Sequence, residues 1–93
     1  MTVGVCSIKL HLYGNNSLKG KRQVLRSIKD RTRNRFNVSI AEINAHDKLQ
    51  SIELGVAVIS NDRRHTNEVL NKIVDFIDGM NLAEMVDYSI EMF

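Results

Sequence analysis

At 93 residues, 43% apolar and 26% charged, the chain has room for one hydrophobic core, so residues 1–93 form a single domain rather than a disordered or multidomain protein. A lone cysteine, Cys6, excludes an intrachain disulfide and a cysteine-rich metal centre, and the start of the chain has neither the basic n-region of a signal peptide nor an apolar run of membrane-spanning length; a cytoplasmic protein is expected. The net charge of +2 conceals a division: residues 1–46 hold nine of the Lys and Arg against Asp30 and Glu42, about +7, whereas residues 47–93 are about −5, an asymmetry suited to an anionic partner.

From Thr2 to Tyr13, Cys6, Ile8, Leu10 and Leu12 alternate with polar neighbours, the period of a half-buried strand. Gly14-Asn15-Asn16-Ser17 supplies a turn, and Ser17 is a fitting N-cap for a helix from about Leu18 to about Arg35, whose Leu18, Val24, Leu25, Ile28 and Thr32 share one arc. The β-branched stretch Phe36 to Ile43 predicts a second strand, with Val38/Ile40 and Ala41/Ile43 on opposite parities, a conflict that a β-bulge or burial on both faces would resolve. Ile52, Leu54, Val56 and Val58 mark a third, central strand. Ser60-Asn61-Asp62 caps a second helix that carries Thr66, Val69, Leu70, Ile73, Phe76 and Ile77 on one face and ends at Gly79. Val86, Tyr88, Ile90 and Met92 alternate as a fourth strand. Right-handed crossovers then predict an α+β ferredoxin-like βαββαβ sandwich, with an antiparallel sheet ordered 4-1-3-2 and both helices on one face.

The strongest functional signal is the first helix. At about 100° per residue, Lys19, Arg22, Arg26, Lys29 and Arg33 gather in a stripe about 80° wide beside the apolar arc, and Arg35 extends it. Solvated helix faces ordinarily interleave acids with bases, and Asp30 is the one acid in this helix. The pattern points to phosphate contacts with structured RNA, ribosomal RNA or a ribosomal particle included, without base readout and without DNA sequence recognition. A second expectation arises at the start of the helix, where the macrodipole disfavours cations: Ser17, Lys19, Lys21 and Arg22 are candidates to hold a small anion.

The predicted open sheet face, Val5, Ser7, Lys9, His11, Glu53, Gly55, Ala57, Asp87, Ser89 and Glu91, has no aromatic for base stacking, and its small residues suit a homodimer or another protein contact there or at an edge strand. His11, His46 and His65 are too scattered to predict a metal site, no nucleophile–base set emerges, and an enzyme is not expected; nor is a cofactor. Acylphosphatases share the predicted topology but need a Gly-rich phosphate loop with an Arg directly after the first strand, which Gly14-Asn15-Asn16-Ser17 does not provide. Glu42 would neutralise a base of the first helix if it pointed inward.

Two segments, Ser17-Leu18-Lys19-Gly20-Lys21-Arg22 continuing to Arg35-Phe36-Asn37-Val38-Ser39-Ile40-Ala41-Glu42, and Leu54-Gly55-Val56-Ala57-Val58-Ile59-Ser60-Asn61-Asp62, resemble the YlxP-like family of small bacterial proteins of unknown function. The resemblance covers essentially the whole chain. It implies a ferredoxin-like fold and no established activity; the genes of that family often neighbour those for translation initiation and ribosome maturation factors, which implies a ribosome-associated role. That family commonly has Glu where this chain has Gly20, so a Ser-x-x-Glu capping box is missing and the positive potential of the helix start is left less neutralised.

Overall fold

The computed structural model describes residues 1–93. Its elements run β1 (Thr2–His11), α1 (Leu18–Arg35), β2 (Ser39–Asn44), β3 (Ser51–Ser60), α2 (Arg63–Gly79) and β4 (Glu84–Met92), and the four strands make one antiparallel sheet in the order β2-β3-β1-β4. This is the predicted ferredoxin-like arrangement. Both helices lie on one face, over Cys6, Ile8 and Leu10 of β1 and Ile52, Leu54, Val56 and Val58 of β3, all buried. Leu25 and Ile28 of α1 meet Leu70, Ile73, Val74 and Ile77 of α2 in the same core, and Phe36 stacks edge-to-face on Phe76 at 5.5 Å to join the helix ends. No helix is long and apolar enough to cross a membrane.

Local chemistry moves several boundaries. Phe36 caps α1, its N–H donating to Thr32 O, so its ring joins the core and β2 starts only at Ser39 rather than at Phe36. The parity conflict in β2 is resolved by a bulge: Glu42 pairs with Leu54 and Asn44 with Glu53, leaving Ile43 as the extra residue. Ile40 and Glu42 therefore face the helices, while Ile43 turns onto the open sheet face and covers Gly55, where an added Cβ would lie 2.7 Å from Ile43 Cγ2. A second bulge in β4, with Lys9 opposite Asp87 and Leu10 opposite Met85, makes Val86 the extra residue and takes it out of the expected alternation. At the end of α2 the left-handed residue is Asn81, at φ 54°, with Gly79 still helical and Met80 as the cap. Asn tolerates that conformation.

Cys6 lies wholly inside the sandwich, and burial lifts its thiol from 9.0 to about 11. The thiol therefore stays protonated at neutral pH, and the folded protein is expected to resist a thiol-specific reagent until denaturant opens the core. Because the folded value lies above the unfolded one, this thiol favours folding below pH 9.0 and that contribution is lost as pH rises toward about 11. Alkylation rate against urea concentration checks the first point, and loss of the high-pH decline attributable to the thiol in Cys6→Ala checks the second.

Candidate functional site

Position along α1 decides what each basic residue can do. Lys21, Leu25, Ile28 and Thr32 recur at spacings of four, three and four and form the buried stripe, so Lys21 belongs to the inward face. It is 1% exposed. Its ammonium donates to Ala45 O at 2.6 Å and Lys48 O at 2.7 Å and lies 3.1 Å from Glu42 Oε2. Two carbonyls of the β2–β3 connection and one carboxylate thus surround the cation, and Glu42 Oε1 lies 3.7 Å from His46 Nε2 on the outer side. The inward orientation of Glu42 accords with its expected neutralising role. Lys21 itself is a correction: it is not available to an external anion, because it is buried, hydrogen-bonded to two carbonyls and paired with Glu42, all of its own chain.

The rest of the expected anion site is likewise engaged. Ser17 Oγ accepts from Gly20 N at 3.0 Å as the N-cap, and Ser17 O accepts from Lys21 N. Asn15 Nδ2 donates to Ser17 O at 2.9 Å and also to Leu49 O, which ties the helix start to the β2–β3 connection. The Asn15 carboxamide oxygen occupies the space that a side chain at position 20 would take. Gly20 is therefore the residue that lets Asn15 close over the first turn, and this closure stands where a glutamate capping box would otherwise be. Lys19 and Arg22 remain exposed, but Ser17 and Lys21 do not join them in a pocket.

The outward stripe is assembled as expected. Lys19, Arg22 and Arg26, with Gln23, Ser27 and Asp30, share one open surface of α1; Arg22, Arg26, Lys29, Asp30 and Arg33, with Leu25, share the adjoining one further along the helix. Lys19, Arg22, Arg26 and Lys29 form no ion pair within the protein. Asp30 reaches only Arg33, at 4.0 Å. Arg33 differs from its neighbours because its Nη2 donates to Ile40 O at 3.0 Å, which uses the guanidinium to cap the free edge of β2. Arg35 is exposed at the last turn, but it lies about 180° around the helix from Arg26, outside the stripe.

The three histidines lie apart, on β1, in the β2–β3 connection and in the first turn of α2. His11 meets Tyr13 edge-on at 4.2 Å, and a hydrogen bond and the charge of Glu84 hold the Tyr13 hydroxyl above its ordinary value.

Comparison with known proteins places this geometry. The chain is 36% identical to the uncharacterized protein YlxP of Bacillus subtilis (strain 168) over 91 residues, which covers 98% of this chain and 99% of the relative. Among solved structures, acylphosphatase from Bacillus subtilis superposes with a TM-score of 0.50 at 14% identity, covering 100% of this chain and 86% of that one, a likeness of fold alone. A de novo designed protein with ferredoxin fold gives a TM-score of 0.48 at 15% identity, covering 100% and 83%. The family model described as protein of unknown function (DUF503) matches residues 3–90, and the chain belongs to that family.

Proposed function

We propose that the protein is a non-enzymatic accessory factor that binds the phosphate backbone of structured RNA through the outward face of α1. The observation that carries this reading is the unpaired state of Lys19, Arg22, Arg26 and Lys29 along one outward side of α1. Four cations within three helical turns, with Gln23 and Ser27 interleaved as neutral hydrogen-bonding groups, match a polyanion better than a single small ligand. The expected ribosomal association makes ribosomal RNA the first substrate to try, in the cytoplasm of a bacterium.

Affinity for structured RNA should fall linearly with salt on a log–log plot, and reversing Lys19, Arg22 and Arg26 together to Glu should reduce the slope by about 3, one per lost phosphate contact. Arg33 is left out of that variant because its bond to Ile40 O supports β2. Filter binding of ribosomal RNA fragments over a salt series measures this. An unchanged slope in a variant with native circular dichroism would exclude α1 as the contact surface.

A further inference from the structure

The face of the sheet away from the helices is uncovered in the single chain, and its central residues are ordered in a way that their register makes explicit. Across the two inner strands, Val3 stands opposite Ile59 and Val5 opposite Ala57. Further along, Ser7 stands opposite Gly55, and Lys9 opposite Glu53 with 3.7 Å between their charges. Apolar faces apolar at one end, small faces small in the middle, and a base faces an acid at the other end. Ile59 is 64% exposed, and Phe93, joined to Val3 by two backbone hydrogen bonds, is 70% exposed, so the apolar end is open to water.

We infer that this face binds a second copy of the same chain, through a twofold axis that runs along the strands midway between β1 and β3. In the order β2-β3-β1-β4 that line is the centre of the sheet. The operation exchanges β1 with β3 and so lays each central residue over its own cross-strand partner in the other copy: Val3 over Ile59, Val5 over Ala57, Lys9 over Glu53. The outer strands follow, with Ser89 over Ala41, Glu91 over Ser39 and Asp87 over Asn44, so no like charges meet. A twofold axis across the strands through the Ser7 row would instead place Val5 over Lys9 and Ala57 over Glu53. Charge complementarity therefore selects both the occupant and the axis.

The area suffices. Ten residues at about 3.3 Å and four strands at about 4.8 Å give a face of roughly 600 Å² per copy, and two such faces reach about 1,200 Å², the lower bound of a standard stable interface. Aligned sheets pack about 10 Å apart at roughly 30°, a separation that the small Ser7 and Ala57 permit beside the axis. Ile43, folded over Gly55 by the β2 bulge, fills the flank of the shallow centre.

Sedimentation equilibrium over a concentration series tests this. The wild type should show twice the chain mass, and Ala57→Arg, which puts a long cation at the centre of the face, should be monomeric with native circular dichroism. Lys9→Glu and Glu53→Lys should each weaken the dimer by about tenfold or more, because each sets like charges opposite one another twice. Mixing the two variants should restore it, since a mixed pair regains both opposite-charge contacts between chains although each chain keeps like charges on its own sheet. A wild type that stays monomeric at every accessible concentration overturns the inference. So does a dimer that persists in Ala57→Arg, or a mixture of the two charge variants that fails to recombine.

Discussion

Lys21→Met should destabilise the protein by about 3 to 5 kcal/mol, the loss typical of breaking a buried ion pair by removing one partner. The substitution keeps the length and the apolar stem, so the packing of this buried side chain is largely retained. What disappears is the ammonium that serves Ala45 O, Lys48 O and the Glu42 carboxylate together. Glu42 Oε2 is already a buried oxygen whose only close cation is Lys21 and which receives no well-directed hydrogen bond, so without that charge it is stranded. For a domain of this size the loss corresponds to a fall in Tm of about 15 to 30 °C. Glu42→Gln should cost less, about 1 to 3 kcal/mol, because the two carbonyls continue to hold the ammonium. Urea unfolding of the two variants measures the order, and a Lys21→Met cost below that of Glu42→Gln would contradict the carbonyl cage as the principal contact.

Gly4→Val is expected to be the second severe lesion, with Gly4→Ala a graded version. Gly4 faces the helices between Val58 and Met92, at the point where α2 approaches β1. An added Cβ would lie 2.5 Å from Thr66 Cγ2 and 2.7 Å from Leu70 Cδ1. Replacing a strand glycine ordinarily gains roughly 0.5 to 1 kcal/mol of backbone entropy. Here the clash dominates, because the Thr66 methyl cannot swing aside: its hydroxyl is bonded to Asp62 O at 3.0 Å and to the Ser60 hydroxyl, and Leu70 is fully buried. Overpacking of this kind costs about 1 to 3 kcal/mol for Ala, with Val beyond that range as α2 is forced off the sheet. Thermal unfolding of the pair should give wild type above Ala and Ala above Val; an Ala variant more stable than the wild type would mean that α2 shifts freely at its first turn.

The architecture was legible because periodicity reports burial directly. Cys6, Ile8 and Leu10, and Ile52 through Val58, alternate as strands must when one face is covered, and the α2 arc repeats at helical spacing. The irregularity in β2 shows in the sequence as a parity conflict, which fits either a bulge or burial on both faces; the bulge lies between Glu42 and Asn44. The basic stripe was legible for the same reason, since angular position on a helix needs only residue numbers. What escaped was which base of the first helix meets Glu42 inside the fold. Lys21 sits at the centre of the inward arc with Leu25, Ile28 and Thr32, and the 4-3-4 spacing marks it, but a lysine is read as solvent-facing unless something tells otherwise. The signal lay in Glu42, two residues from Ile40 and therefore on the same face. The carbonyl partners Ala45 and Lys48 had no sequence signature, because any residue supplies a carbonyl. Arg33 shows the same limit: its angle places it in the stripe, whereas its bond to Ile40 O depends on where the edge of β2 falls.

The strand order has a further consequence for how the molecule behaves in an electric field. Because β2 and β4 are the two borders of the sheet and α1 packs against β2, the basic residues of α1 gather along one border, while Glu84, Asp87 and Glu91 line the other. A charge division along the chain thus becomes a permanent dipole across the molecule, and the net charge of +2 understates the field at either border. A molecule so polarised turns before it lands. Near a polyanion it arrives with the α1 border leading, and on a cation-exchange resin it is retained more firmly than a protein of the same net charge whose groups are evenly spread.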